Sequence, residues 1–283
     1  MHTIEVLESE MSYKEEGGGP ETVVLLHGNP TSSHIWRKVT PRLSGSARVV
    51  APDLIGMGDS GKPDIAYSFA EHAEYLEAFL DAVGIDRPVL VGYDWGGSLA
   101  MDWAARHPGR ARGLVVMETF LRPMTWAEYP AGAVEFFKTL RTPGAGERMA
   151  LEENWFIEQA LRATNPGITE ADLDVYRSPY PTPGSRRPLL AWPRQIPLDG
   201  TPAEVAERFE VYVKWLVSTP EIPKTLLTAS PHGLGSPEMI AWARENIAGL
   251  EIASLGEEVG HHAPEDAPEA IAEAVAKLIG RIG

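Results

Sequence analysis

Short apolar runs alternate with amphipathic stretches through the first 118 residues. Val23-Val24-Leu25-Leu26, Arg48-Val49-Val50-Ala51, Val89-Leu90-Val91 and residues 114–117 are short and almost wholly apolar. That pattern predicts strands buried on both faces. Between them, Ala73, Leu76, Phe79, Leu80 and Val83 recur at helical spacing over residues 69–83, as do Leu99, Ala100, Trp103 and Ala104 after Gly97. Residues 3–15 predict two strands forming a hairpin. Strand-helix alternation of this kind implies βαβ units and a mostly parallel sheet.

The rhythm stops after Glu118. From about residue 120 to 203 the chain is rich in aromatics, prolines and arginines, with no run that predicts a buried strand. Helices are expected around 130–141, 147–163 and 169–176, and Pro179, Pro181, Pro183 and Pro188 are expected to break the pattern. The earlier rhythm resumes with Lys224-Thr225-Leu226-Leu227-Thr228 and Leu250-Glu251-Ile252-Ala253, and an amphipathic helix closes the chain from about Pro268 to Ile282. The expected fold is therefore α/β, with eight mostly parallel strands flanked by helices. Residues 1–119 and 204–283 form the core domain, and 120–203 form a helical cap inserted into it. A cap over the carboxyl ends of the strands would close a dry pocket there.

Composition narrows the partners. The 283 residues carry a formal net charge of −15, which disfavours nucleic acid and anionic membranes. Cysteine is absent, so disulfides and thiolate metal sites are excluded. The N-terminal MHTIEVLESEMSYKEEG lacks the basic and apolar regions of a secretory signal, and no stretch has the length of a membrane-spanning helix. A cytoplasmic protein, monomeric or weakly self-associating, is the expectation. His34 and His72 have no companions at ligand spacing, so no metal is expected. Gly56-Met57-Gly58-Asp59-Ser60-Gly61 lacks the Lys-Ser/Thr ending of a phosphate loop. The acids between 147 and 174 are expected to form a solvated surface.

The candidate chemistry centres on residues 89–108. The apolar run 89–91 ends in Gly92-Tyr93-Asp94-Trp95-Gly96-Gly97, and a helical pattern follows. Strand, tight glycine-flanked turn and helix is the layout of a nucleophile elbow, here presenting Asp94 in place of serine. A carboxylate nucleophile suits attack on an electrophilic sp³ carbon, followed by hydrolysis of the resulting ester. That hydrolysis needs a base. His27, His232, His261 and His262 all fall near strand ends, and His261 is preferred because it follows the last strand in Val259-Gly260-His261-His262-Ala263-Pro264-Glu265-Asp266. The stretch after residue 228 offers no acid to orient it, so Glu118, closing the strand after the elbow helix, takes that role. Asn29, in His27-Gly28-Asn29-Pro30, and Trp95 supply side-chain N–H donors able to hold a leaving halide. Their backbone N–H groups are the expected oxyanion donors.

With those residues assembled, the chain resembles the haloalkane dehalogenases of the α/β-hydrolase superfamily. The matching segments are HGNPTSSHIWR, APDLIGMGDSGKP, VGYDWGGSLAMDWAARHP, VMETFLRPMTWAEYP, SRRPLLAWPRQIPLDGTPAEV and GHHAPEDAPEAI. The resemblance implies an α/β-hydrolase fold, cofactor-independent cleavage of carbon–halogen bonds through an alkyl-aspartate, and an alcohol, a halide ion and a proton as products. It also implies that Phe137, Phe156, Pro193, Ile196 and Leu234 line the pocket. His262 stands where the family pattern has an apolar pocket residue, which predicts a change in pocket polarity. Epoxide hydrolases share the Asp nucleophile and use cap tyrosines, for which Tyr129, Tyr176, Tyr180 and Tyr212 are available by type. Asn29 stands where those enzymes tend to carry an aromatic. Coelenterazine-type luciferases share the Asp-Trp-Gly elbow, and light emission would distinguish them. A non-catalytic binding protein of this fold would be expected to carry a broken triad.

Overall fold

The computed structural model describes residues 1–229 and 234–282. Eight strands form one sheet: β1 (His2–Val6), β2 (Ser9–Glu16), β3 (Thr22–Leu26), β4 (Arg48–Pro52), β5 (Val89–Tyr93), β6 (Gly113–Met117), β7 (Lys224–Thr228) and β8 (Leu250–Ser254). Their order is β1-β2-β4-β3-β5-β6-β7-β8. The hairpin β1-β2 joins antiparallel to β4, and every pairing from β4 to β8 is parallel.

The helices of eight or more residues are α1 (Phe69–Ala82), α2 (Trp95–Arg106), α3 (Val134–Arg141), α4 (Glu170–Arg177), α5 (Arg187–Gln195), α6 (Ala203–Ser218), α7 (Pro237–Asn246) and α8 (Pro268–Ile282). The apolar runs read as doubly buried strands because both sheet faces are covered. Val24, Leu26, Val50, Leu90 and Val116 pack into one core with residues of α1, α2 and α6. Their neighbours Val23, Leu25, Val49, Val91 and Val115 pack into the other with α8. The start of α1 is fixed locally. Ser68 Oγ accepts the Glu71 N–H and the Glu71 carboxylate accepts the Ser68 N–H, a reciprocal cap.

The chain between β6 and β7 carries α3 to α6 and departs from expectation in three places. The helix expected over 147–163 is interrupted. Two π-helical turns, Arg148–Glu152 and Phe156–Ala160, flank a break at 153–154, where Asn154 takes a φ of 50°. Conversely, the proline-rich stretch contains α5. Pro188 lies in its first turn, where a missing N–H removes no helical bond. The acids of 147–174 are not uniformly solvated either, since His34 and Arg37 engage the Asp172 carboxylate. Among the described residues, no helix is long and apolar enough to cross a membrane.

Candidate active site

The carboxyl ends of β3, β5 and β6 meet around Asp94. This residue stands at the N-cap of α2 with a strained positive φ of 52° and ψ of −130°, and is buried. So sharp a turn needs closely packed backbone. A Cβ on Gly96 would lie 2.2 Å from the Leu26 carbonyl oxygen, and one on Gly28 would lie 2.1 Å from Asp94 Oδ1. Thr119 braces the turn by donating to the Asp94 carbonyl at 2.6 Å. The N-terminus of α2 also places the positive end of its dipole at the carboxylate.

The two carboxylate oxygens of Asp94 are not equivalent. The Asn29 N–H donates to Oδ1 at 2.8 Å. Oδ2 faces His261, whose Nε2 lies 3.6 Å away, beyond hydrogen-bond length. Of the two expected backbone donors, then, Asn29 reaches the carboxylate; among the described residues the Trp95 N–H makes no such bond.

On the opposite side of the imidazole, His261 Nδ1 is 3.2 Å from Glu118 Oε2, which also accepts the Leu234 N–H. Glu118 is buried and holds a positive φ of 44°. With Nδ1–H donating to Glu118, neutral His261 presents the Nε2 lone pair toward Asp94. Burial alone would lower the pKa of His261. The flanking carboxylates of Asp94 and Glu118 outweigh it and raise the value to about 10.

Asn29, Asp94, Trp95 and His261 open onto one cavity of about 490 Å³. All five expected pocket residues, Phe137, Phe156, Pro193, Ile196 and Leu234, line it as well. Trp95 is held in an aromatic stack, with ring centroids 4.7 Å from Trp192 and 5.1 Å from Phe120. The Asn29 amide donates one long bond, 3.4 Å, to the Leu189 carbonyl of α5. Among the described residues that amide nitrogen has no second partner.

Other candidates fall outside this arrangement. His27 accepts the Leu54 N–H at Nε2 and has Nδ1 2.9 Å from the Gly28 carbonyl, so it braces the loop. His232 lies outside the described residues. His262 lines the cavity, but both its ring nitrogens are buried without a hydrogen bond. Burial, then the neighbouring His261, lowers its pKa to about 3. Of the tyrosines, Tyr129 lines the cavity, whereas Tyr176 donates toward Glu265 and Tyr212 donates to the Phe120 carbonyl. The sequence reading missed Phe120, Tyr129, Phe136 and Trp155 as lining residues. The adjacent aromatic pairs Phe136-Phe137 and Trp155-Phe156 were the available signal.

The comparisons agree with this geometry. A family described as alpha/beta hydrolase fold matches residues 21–142. A haloalkane dehalogenase of Mesorhizobium japonicum is 46% identical over 89% of this chain and 81% of its own length. One from Sphingobium indicum is 41% identical over 93% and 89%. Among solved structures, a putative ancestral haloalkane dehalogenase superposes with a TM-score of 0.94 at 43% identity, covering 100% of this chain and 99% of that one. The haloalkane dehalogenase DbeA of Bradyrhizobium elkani USDA94 gives 0.93 at 41%, covering 99% and 97%. The carboxylate elbow, its histidine and the aromatic cavity thus sit in a chain that belongs to the haloalkane dehalogenases.

Proposed function

We propose that Asp94, His261 and Glu118 carry out hydrolytic dehalogenation, with Asn29 and Trp95 holding the halide and residues 120–203 acting as the cap. The observation that carries this reading is the asymmetry of the Asp94 carboxylate. Oδ1 is held by a backbone N–H, while Oδ2 is free to attack and faces the histidine.

A haloalkane lies in the aromatic cavity with its carbon–halogen bond in line with Oδ2. Asp94 displaces the halide, and charge develops on the leaving atom. The indole N–H of Trp95 and the Asn29 amide bind that charge more strongly than they bind the neutral substrate, which lowers the barrier. The ester that remains is neutral. His261 therefore loses the negative neighbour that helped hold its proton, its pKa falls, and Nε2 releases that proton to solvent. It then takes a proton from water, which attacks the ester carbonyl carbon, while Glu118 stabilises the imidazolium. The Asn29 N–H bonds the oxyanion. The tetrahedral intermediate collapses by breaking the bond between its carbon and the alkyl-bearing oxygen. The departing alkoxide takes the proton from His261, and the regenerated carboxylic acid gives up its own to Nε2. Alcohol leaves, followed by halide, and the proton released to solvent completes the products.

The test is a panel of brominated alkanes, chlorinated alkanes and epoxides, scored for halide and proton release. Equal halide and proton release from brominated alkanes is expected, with epoxides inert. Epoxide consumption without turnover of any halogenated alkane would overturn the reading. The presence of only one cavity-lining tyrosine among the described residues supports the dehalogenase over the epoxide hydrolase.

A further inference from the structure

A second cluster of polar side chains, none of which lines the cavity, joins three segments that are distant in sequence. Glu265 lies in the single helical turn Ala263–Asp266 that follows the proposed base, and its side chain is 6% exposed. Its carboxylate is bound by Arg37, by Lys38 Nζ at 3.0 Å and by the Tyr176 hydroxyl of α4 at 3.4 Å. Lys38 Nζ also donates to the Glu265 carbonyl at 3.2 Å. Arg37 reaches a second carboxylate, that of Asp172 on α4, at 3.0 Å. Asp172 in turn bonds His34 Nε2 at 2.9 Å, and the rings of His34 and Tyr176 meet edge to face at 5.4 Å. The loop holding His261 is also closed across its ends, where the Gly260 N–H donates to Asp266 Oδ2 at 2.9 Å.

The His261 ring is held by one hydrogen bond to Glu118 and by ring contacts with Tyr93 and His262, each at 5.3 Å between centroids, and its side chain is 26% exposed. A base working on a water needs tighter control than that, and a buried carboxylate between two cations supplies a stiff anchor. The geometry points to Glu265 as a positioning residue for His261, with Tyr176 and Asp172 tying the cap helix α4 to the same anchor. This rests on the reading of His261 as the base for ester hydrolysis.

That reading also separates the two chemical steps, since His261 serves hydrolysis and not halide displacement. Glu265→Gln keeps the volume and removes the charge that gathers Arg37 and Lys38. Its first-turnover halide release is expected at the wild-type rate, with hydrolysis slowed roughly tenfold to a hundredfold. Rapid-quench halide assays would show a burst, and intact mass would show the alkyl-enzyme. Tyr176→Phe, which leaves every charge in place, is expected to show the same split more weakly and serves if Glu265→Gln does not fold. His261→Phe is run alongside and must accumulate the ester. If it does, and both other variants hydrolyse at the wild-type rate or lose both steps together, the positioning role is overturned. If His261→Phe itself turns over fully, the base assignment falls instead.

Discussion

In the proposed reaction, Asp94 and His261 share charge in a way that changes from step to step. In the free enzyme the two carboxylates raise the histidine pKa to about 10. Esterification of Asp94 as proposed would remove its charge, so the value relevant to hydrolysis would lie lower. Halide displacement is therefore expected to vary little across neutral pH, while hydrolysis falls as acid protonates His261 in the alkyl-enzyme. Single-turnover rates against pH, followed separately for halide and alcohol, check this; parallel profiles would contradict it. The proposed halide pair, Asn29 and Trp95, makes its own prediction. Trp95→Leu removes one of two neutral donors and should lower the displacement rate by about a hundredfold, in line with loss of one preorganised donor. It should also weaken halide binding measured by calorimetry. Unchanged halide affinity would return Trp95 to a packing role. The residues of this site were legible because each closes an apolar strand or follows a glycine turn, places where polar side chains need a reason. His262 lines the cavity, as its place in the sequence implies, but residue type alone does not reveal that its ring nitrogens are buried without a hydrogen bond.

At the scale of elements, the strands were legible and the helices between β6 and β7 only partly so. A doubly buried parallel strand announces itself as an unbroken apolar run. By contrast, α5 combines Pro188 and Pro193 with a half-polar sequence, and packing against neighbouring elements outweighs its poor propensity. The π-helical turns at 148–152 and 156–160 leave no simple period to read. The elbow shows how far backbone approach governs an element. Gly96→Ala would press a methyl against the Leu26 and His27 carbonyls, at 2.2 and 2.5 Å. Overpacking of that kind is expected to destabilise the protein by about 1–3 kcal/mol, seen as a lower urea midpoint. An unchanged midpoint would mean that α2 can shift freely beneath β3.

For the whole molecule, buried histidines set the acid limit. Burial, reinforced by His27, lowers the His72 pKa to about 3, and His262 is lowered to about 3 as well. Both stay neutral in the fold yet charge on unfolding below the ordinary histidine value of 6.5. As pH falls from there toward 3, each costs up to about 1.4 kcal/mol of stability per pH unit. His261 acts in the opposite window, its raised pKa adding stability at neutral pH that is lost as pH climbs toward 10. Stability should therefore peak near neutrality. His72→Phe, which preserves the stack on Trp192 (ring centroids 4.0 Å apart), should flatten the acid limb in urea titrations. An acid limb as steep as wild type would rule out His72 as a contributor. Successive cycles expose a last property of the molecule, rooted in the unequal oxygens of Asp94. With Asp94 as the nucleophile, the alcohol of the first cycle would take its oxygen from the protein itself, and heavy-isotope water would label the nucleophile instead. If the Asn29 N–H keeps its grip on Oδ1, the incoming label occupies the attacking position and the second alcohol emerges fully labelled. A carboxylate that flips between cycles would yield a second alcohol only half labelled. Isotope content of consecutive products thus counts rotations of a single side chain.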